Sequence, residues 1–175
     1  MSRGLRFLPL VLLALLIAGL VWRLATPVDN NVASKLDGHA VPTFDLAAAI
    51  PGKPGLASSD LARGSPRLVN LFASWCVPCA TEAKVLEALK ARGVAIDGIA
   101  IRDRPEDIAR FLARYGDPYE RIGSDARSQI QIALGSSGVP ESFIVDGRGI
   151  IRYQKIGPIT ADEMPLILAR LKQAK

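Results

Sequence analysis

The most continuous hydrophobic pattern in the chain is an apolar run without charges over residues 7–22, with arginines on both sides. Extended to residues 5–24, the run would form about 30 Å of helix, enough to cross a bilayer if the flanking arginines reach the interfaces. Basic residues ahead of such a run favour a cytoplasmic N-terminus. We therefore predict a single-pass anchor over residues 1–24 that holds the rest of the chain outside the cytoplasm. A cleaved signal peptide is the alternative.

The pattern changes after this run. Residues 25–40 are polar and rich in turn formers, which predicts a linker. Residues 41–66 contain four prolines, which predicts irregular structure with room for a short hairpin. From residue 68 onward, short apolar runs alternate with helical periodicity. This part predicts strands over residues 68–72, 94–101, 142–145 and 150–156, and helices over residues 78–92, 105–115, 125–134 and 160–173.

The order of these elements indicates the fold class. A strand, a helix and a second strand in succession require a crossover connection, which pairs the two strands in parallel. The sequence Asp146-Gly147-Arg148-Gly149 instead joins two strands as an antiparallel hairpin. We therefore predict an α/β protein with a mixed sheet between helices, a three-layer α/β/α sandwich, preceded by one N-terminal transmembrane helix.

Composition and charge exclude several function classes. Hydrophobic residues make up 49% of the chain and charged residues 22%, which supports a packed core and argues against disorder. The net charge is +5, but no basic stripe is interleaved with aromatic residues, so we expect no nucleic-acid partner. One histidine and two cysteines are too few for a Cys/His zinc site. We expect neither a metal nor a cofactor.

Both cysteines lie in the segment Trp75-Cys76-Val77-Pro78-Cys79, between a predicted strand and a predicted helix. The unpaired N–H groups and the dipole of a helix N-terminus favour a thiolate at Cys76. One helical turn places Cys79 on the same side, so a disulfide can close, and Pro78 suits the first turn.

These positions predict the roles of the two sulfurs. We expect Cys76 to be the exposed nucleophile that forms a mixed disulfide with a substrate, and Cys79 to be the shielded thiol that resolves it. Two alternatives are half of a zinc site, for which no second cysteine pair exists, and a purely structural disulfide.

A second constellation is Gly138-Val139-Pro140-Glu141-Ser142-Phe143. A proline directly before a strand marks an edge or a turn. If the Val139–Pro140 bond is cis, Val139 can present its backbone to an extended peptide beside the cysteines. Glu141 follows at the mouth of the strand, where an ordinary exposed acid is the alternative interpretation.

Residues 71–79 resemble the active-site segment of thioredoxin-fold proteins. Residues 138–143 are similar to the Gly-Val-Pro-Glu-Thr-Phe signature of the membrane-anchored thiol:disulfide interchange proteins of cytochrome c maturation, the CcmG/DsbE type. The resemblance covers residues 36–174 and implies a thioredoxin-like domain there. The chain departs from the family at Ser142, where threonine is usual, and at residues 134–137, where an aromatic residue is frequent.

The resemblance implies roles for individual residues. Cys76 would be the nucleophile and Cys79 the resolving partner of a redox-active disulfide, with Pro140 as a cis-proline beside them. In the family, glutamates near the disulfide tune its acidity and its reduction potential, and Glu82 and Glu141 match their positions. The groups that would tune the disulfide or line the substrate groove also include Trp75, Pro78 and Val139.

Thioredoxin itself has a buried aspartate at the position that Asn70 occupies in this chain. Asparagine cannot take a proton from Cys79. The resemblance therefore implies that acid–base work passes to Glu82, to Glu141 or to water.

The resemblance also implies a reaction and its setting, a periplasmic reductant held in the bacterial inner membrane. It would receive electrons from a membrane thiol donor. It would pass them to the haem-binding cysteines of apocytochrome c, or to a thiol protein paired with them. The alternatives are a general periplasmic thioredoxin-like reductase, a thioredoxin-fold peroxidase and a non-enzymatic binding module with a structural disulfide.

Overall fold

The computed structural model describes residues 8–25 and 37–174. The chain divides into two compact units after residue 30. Most of the predicted linker, residues 26–36, lies outside the described residues.

The described part of the first unit is one helix, α1 (Leu8–Ala25), of 18 residues. None of the helices in the described ranges is long and apolar enough to cross a membrane. The structure therefore does not show the transmembrane helix predicted over residues 5–24, of which residues 5–7 are not described.

The second unit is built around a mixed sheet. It begins with a short antiparallel pair, β1 (Asp45–Leu46) and β2 (Leu56–Ala57), in the segment where room for a hairpin was predicted. The main sheet consists of β3 (Arg67–Phe72), β4 (Ile96–Ile101), β5 (Arg121–Asp125), β6 (Glu141–Val145) and β7 (Ile151–Ile156). Their order is β5-β4-β3-β6-β7, so β3 is central. The pairs β3–β4 and β4–β5 are parallel, and β6 is antiparallel to β3 and β7, which confirms the predicted mixed sheet.

Helices cover both faces of this sheet. They are α2 (Val77–Lys90), α3 (Pro105–Tyr115), α4 (Gln129–Ala133) and α5 (Met164–Gln173). Helices α2, α3 and α5 share one face with alternate residues of β3, in a buried cluster that includes Leu68, Phe72, Leu86, Phe111 and Ile167. The opposite face packs on the end of α4 and on the segment 44–61, in a cluster that includes Phe44, Leu56, Val69, Leu71 and Leu134. The predicted α/β layers are therefore present, with a thinner layer on the second face.

The sequence pattern missed β5, which reads Arg-Ile-Gly-Ser-Asp and lacks a run of apolar residues. Neighbouring segments hold this strand on both edges. One edge pairs with β4. Along the other, the N–H of Ala49 donates to the carbonyl of Ile122 and the N–H of Ser124 donates to the carbonyl of Ala47, both at 2.9 Å. Long-range pairing rather than local propensity therefore makes this strand.

The helix predicted over residues 125–134 is shorter because Asp125 ends β5 instead of beginning the helix. Its carboxylate nevertheless caps α4, where it accepts hydrogen bonds at 2.8–2.9 Å from the backbone N–H groups of Gln129, Ile130 and Gln131. The aspartate was thus a correct signal for a helix start, displaced by one turn.

Gly98, at the centre of β4, leaves the space that two aromatic rings occupy. The rings of Phe72 and Tyr119 stack with centroids 4.7 Å apart. A Cβ at position 98 would lie 2.9 Å from Cε1 of Phe72 and 3.1 Å from Cδ1 of Tyr119.

We expect Gly98→Ala to lower the free energy of unfolding by about 1–3 kcal/mol, because the added methyl group overpacks this stack. Urea unfolding of the oxidised protein measures the effect. Gly138→Ala is the control, since a Cβ there meets nothing within 4 Å. Equal stability of the two variants would contradict the prediction.

Candidate active site

The central strand positions the two cysteines at the start of a helix, as the sequence predicts. β3 ends at Phe72, four residues lead into α2, and Cys76 is the N-cap of that helix with an extended backbone. The Sγ of Cys76 accepts a hydrogen bond from the backbone N–H of Cys79 at 3.2 Å. An N–H donor and the positive end of a helix both stabilise a thiolate on Cys76 when the pair is reduced. Pro78 lies in the first turn, as expected.

The two cysteines form a disulfide, with their Cα atoms 5.3 Å apart. The prediction that Cys76 is the exposed sulfur is wrong for this oxidised state: Cys76 is 5% exposed and Cys79 is 3% exposed. The reason is packing, because both belong to the core cluster on the α2 face, against which Val139 also packs.

Exposed apolar side chains surround the disulfide instead. Trp75 is 57% exposed and Val77 is 77% exposed, and Pro78 is exposed as well. Apolar groups that a fold leaves in water beside a reactive bond mark a surface on which another molecule can dock.

The loop that carries Trp75 is held by the loop after β4, a contact that the sequence analysis missed. Asp103 accepts hydrogen bonds from the backbone N–H of Ser74 and from its hydroxyl, the latter at 2.7 Å. The indole N–H of Trp75 donates to the carbonyl of Arg102 at 3.4 Å. The available signal was the parallel pairing of β3 and β4, because the carboxyl ends of neighbouring parallel strands meet at one sheet edge.

The second predicted constellation lies beside the first. The Val139–Pro140 peptide bond is cis, and it leads into β6, whose first residue, Glu141, pairs with Leu71 of β3. Pro140 is buried, and Val139 packs against the cluster that contains both cysteines. Val139 and Pro140 therefore lie at the start of β6, where Val139 packs on the cluster that contains both cysteines.

Glu82 lies one helical turn after Cys79 and is 1% exposed. Its carboxyl oxygens accept hydrogen bonds from the backbone N–H of Ile159 at 2.8 Å and from the side-chain amide of Asn70 at 3.2 Å. Burial raises its pKa to about 7, although these two hydrogen bonds and the charge of Lys155 act in the opposite direction. Glu82 can therefore gain or lose a proton near neutral pH, in the helix turn next to the disulfide.

Asn70 is the centre of a buried hydrogen-bond network. Besides Glu82, its amide nitrogen donates to the hydroxyl of Ser142 at 2.9 Å, and its amide oxygen accepts from the hydroxyl of Tyr119 at 2.7 Å. Burial raises the pKa of Tyr119 well above its usual value, so this hydroxyl keeps its proton. Sequence reasoning singled out Asn70 but missed Tyr119, which lies 49 positions further along the chain.

Glu141 faces the opposite side of the sheet from Glu82. It shares its face with Leu71, its partner on β3, whereas its neighbour Ser142 pairs with Asn70 and shares the face of α2. Glu141 is fully buried, so it is not an ordinary exposed acid.

The carboxylate of Glu141 is hydrogen-bonded to the loop that leads to Pro140. It accepts hydrogen bonds from the Ser136 hydroxyl at 2.8 Å and from the backbone N–H of Ser137 at 2.9 Å, and also from the side-chain amide of Gln154. Within the described residues no cluster of histidine, cysteine, aspartate or glutamate could hold a metal ion.

Comparisons with known proteins match these features. A family model described as Redoxin matches residues 36–167. The thiol:disulfide interchange protein HelX of Rhodobacter capsulatus is 36% identical over 93% of this chain and 92% of its own length. The thiol:disulfide interchange protein DsbE of Escherichia coli K12 is 32% identical over 91% of this chain and 88% of its own.

A solved structure shows the same fold. The thiol:disulfide interchange protein of the thioredoxin family from Chlorobium tepidum TLS superposes with a TM-score of 0.59 at 25% identity. The match covers 77% of this chain and 94% of that one. The fold of this chain is accordingly thioredoxin-like.

The raised pKa of Glu82 predicts a pH dependence of stability. Between pH 4.5, its ordinary pKa, and pH 7, the folded chain keeps a proton that the unfolded chain releases. The contribution of Glu82 to the free energy of unfolding is therefore greatest at and below pH 4.5 and declines as the pH rises to 7. We expect a decline of about 3 kcal/mol from this group, which Glu82→Gln removes.

The measurement is urea unfolding of the oxidised wild type and variant at half-unit steps across this range. The difference between the two proteins isolates Glu82 from the other carboxyl groups. A constant difference between wild type and Glu82→Gln would show that Glu82 has no raised pKa.

Proposed function

The chain belongs to the Redoxin family and is a protein thiol:disulfide oxidoreductase. From this premise we propose that it is a periplasmic reductant of disulfides in apocytochrome c, or in a thiol protein that pairs with it. The observation that carries the proposal is the Cys76–Cys79 disulfide at the head of α2, surrounded by exposed apolar side chains. A structural staple needs no such docking surface, and a loop of this length constrains the unfolded chain little.

The reaction proceeds by two thiolate attacks. In the reduced protein, the Cys76 thiolate attacks one sulfur of the substrate disulfide, so a mixed disulfide forms and the other substrate sulfur leaves as a thiolate that takes up a proton. Cys79 then attacks the Sγ of Cys76, which releases the second substrate sulfur. The substrate leaves with two thiols, and the protein is left with the disulfide seen here. A membrane thiol donor returns the two electrons.

Glu82 is the proposed proton acceptor for the second attack. The Cys79 thiol must lose its proton before it can attack, and a base is most effective when its pKa lies near the working pH. A pKa of about 7 meets this condition. Glu82 also lies one helical turn after Cys79, on the same side of α2. Asn70, at the position of the aspartate of thioredoxin, supplies a hydrogen bond to this base rather than acting as the base.

Trp75 and Pro78, with the exposed Val77, are the proposed apolar contacts for the substrate. Val139 would present its backbone to the extended peptide on the other side of the disulfide. Glu141 would act indirectly, because its hydrogen bonds hold the serines that precede Val139 and Pro140.

The choice of substrate rests on the resemblance of residues 138–143 to the signature of the cytochrome c maturation branch. The relatives from R. capsulatus and E. coli, each matched over about nine tenths of this chain, support that branch through their names as thiol:disulfide interchange proteins. Haem attachment requires both cysteines of the substrate to be free thiols. A reductant is therefore the direction of exchange that this substrate needs.

The proposed location is the bacterial periplasm, with residues 5–24 as the segment that attaches the chain to the inner membrane. The support is the charge-free apolar run between arginines. Because no described helix has the length and apolar character of a span, membrane attachment rests on the sequence alone.

We expect Cys79→Ser to accumulate mixed disulfides through Cys76 with a peptide that contains an oxidised Cys-x-x-Cys-His segment, because the resolving thiol is missing. Non-reducing mass spectrometry measures the adduct, and dithiothreitol should release it. Cys76→Ser is the matched control and should trap nothing, since it lacks the nucleophile.

Three results would contradict this function. Absence of any adduct with Cys79→Ser would leave a binding module with an inert disulfide. A midpoint potential of about −120 mV, typical of a disulfide-forming catalyst, would reverse the direction of exchange. Rapid consumption of hydrogen peroxide would instead favour the peroxidase alternative.

Fractionation of cells tests the location. We expect the full chain to remain with the inner membrane after a high-salt wash, and a chain without residues 1–24 that is exported by an unrelated cleavable signal to appear in the soluble periplasm. Recovery of the full chain as soluble periplasmic protein would show that the segment is removed or does not anchor.

A further inference from the structure

The buried hydroxyl of Tyr119 has no part in the reaction described above, yet it lies two hydrogen bonds away from Glu82. We propose that Tyr119 is a positioning residue, whose hydroxyl fixes the Asn70 amide so that an N–H group, and not the carbonyl oxygen, faces the Glu82 carboxylate. It thereby sets the protonation of Glu82. The inference deepens the proposed function, since it concerns the group proposed as proton acceptor for Cys79.

The geometry accounts for every hydrogen-bonding atom of the Asn70 side chain. The amide nitrogen has two hydrogens, one directed to Glu82 Oε2 at 3.2 Å and one to Ser142 Oγ at 2.9 Å. The amide oxygen accepts from the Tyr119 hydroxyl at 2.7 Å. Because an amide oxygen can only accept a hydrogen bond, the Tyr119 hydroxyl is the donor in this contact.

The alternative orientation of the amide shows what Tyr119 contributes. If the Asn70 amide turned by 180°, its oxygen would face Glu82 Oε2, and two acceptors would meet unless Glu82 held a proton. The nitrogen would then face the Tyr119 hydroxyl. The present orientation stabilises the ionised Glu82, and the turned one stabilises the protonated form. The hydroxyl of Tyr119 could still accept from the nitrogen in the turned orientation, but its own buried O–H would then have no acceptor among the described residues. Tyr119 therefore selects the first orientation.

Packing makes Tyr119 a fixed donor. Its ring stacks on Phe72 with an interplanar angle of 18°, and the bare face of Gly98 in β4 provides the space. Burial raises the pKa of the phenol well above its usual value, so the hydroxyl keeps its proton throughout the range in which Glu82 titrates. The hydroxyl therefore affects Glu82 by orienting the Asn70 amide and not by carrying a charge.

Tyr119→Phe removes the hydroxyl that orients the Asn70 amide and keeps the aromatic ring. We expect the titration midpoint of Glu82 to rise by about one pH unit, because the amide becomes free to turn its oxygen toward the carboxyl group. At pH 7 the ionised fraction of Glu82 would then fall about fivefold, and the rate at which Cys79 resolves a mixed disulfide would fall with it. At pH 9 the two rates should be nearly equal.

The direct measurement is a ¹³C NMR titration of the Glu82 side-chain carboxyl in the full-length oxidised protein, kept in solution with a mild detergent. Stopped-flow resolution of a mixed disulfide between Cys76 and a thiol peptide, followed from pH 6 to pH 9, gives the kinetic profile. Tyr115→Phe is the matched control. That ring packs on Phe111 in the same aromatic group, and among the described residues its hydroxyl makes no contact with the Asn70 network.

A second variant guards against a folding effect of Tyr119→Phe. Asn70→Asp places a second carboxyl group against Glu82. We expect the titration midpoint of Glu82 to rise more in this variant than in Tyr119→Phe, through like-charge repulsion. In a Glu82→Gln background, Tyr119→Phe should leave the kinetic pH profile unchanged, because position 82 then has no carboxyl group whose protonation Tyr119 could affect.

The outcomes separate the two proposals. The same Glu82 midpoint in wild type and folded Tyr119→Phe would overturn the inference, and so would an equal shift in Tyr115→Phe. A raised midpoint without any change in the kinetic profile would support the role of Tyr119 in setting Glu82. That result would remove Glu82 from the proposed reaction.

Discussion

The burial of one carboxyl group in the helix turn after the disulfide is the constraint on which this site depends. Glu82 is almost inaccessible to solvent, and the nearby Lys155 forms its ion pair with Glu163 instead, with its Nζ atom 2.5 Å from Oε1 of that residue. A buried charge without a paired cation needs hydrogen-bond donors. Here they come from Asn70 on the central strand and from the backbone of Ile159 after β7, so the acid connects α2 to the sheet and to the chain that follows it.

These contacts keep Glu82 close to the balance between its protonated and its ionised form. Desolvation favours the neutral form and the two donors favour the charged form, and the opposing effects leave its pKa near 7. A carboxyl group on the protein surface would stay ionised and would be a weak base. A carboxyl group buried without donors would stay protonated and could not accept. Under the proposal, the same balance gives Asn70 and Tyr119, which have no acid–base role of their own, an influence on the protonation of Glu82.

Sequence reasoning succeeded where the signal is local. The bounds of α3 follow from Pro105, the acids after it and its apolar face, and the position of the Cys76–Cys79 pair follows from a strand that runs directly into a helix. It failed where the cause is distant. Strand β5 exists because residues 47–54 and β4 flank it, and the contact of Tyr119 with Asn70 joins positions that no periodicity relates. The prediction that Cys76 is exposed failed for a second reason, because its burial depends on the packing of the finished core.

Glu82 and Glu141, which sequence reasoning treated alike, lie on opposite faces of the sheet. Side chains alternate along a strand, so Glu141 and Ser142 must point in opposite directions, and only the face of Ser142 carries the helix with the disulfide. Glu82, on α2, is therefore on the side of the sheet that carries the disulfide. Glu141 can act there only through the backbone it holds, the loop of Ser136 and Ser137 that leads to Pro140. In the proposed reaction, Glu82 moves a proton, whereas Glu141 fixes the shape of the surface beside the disulfide.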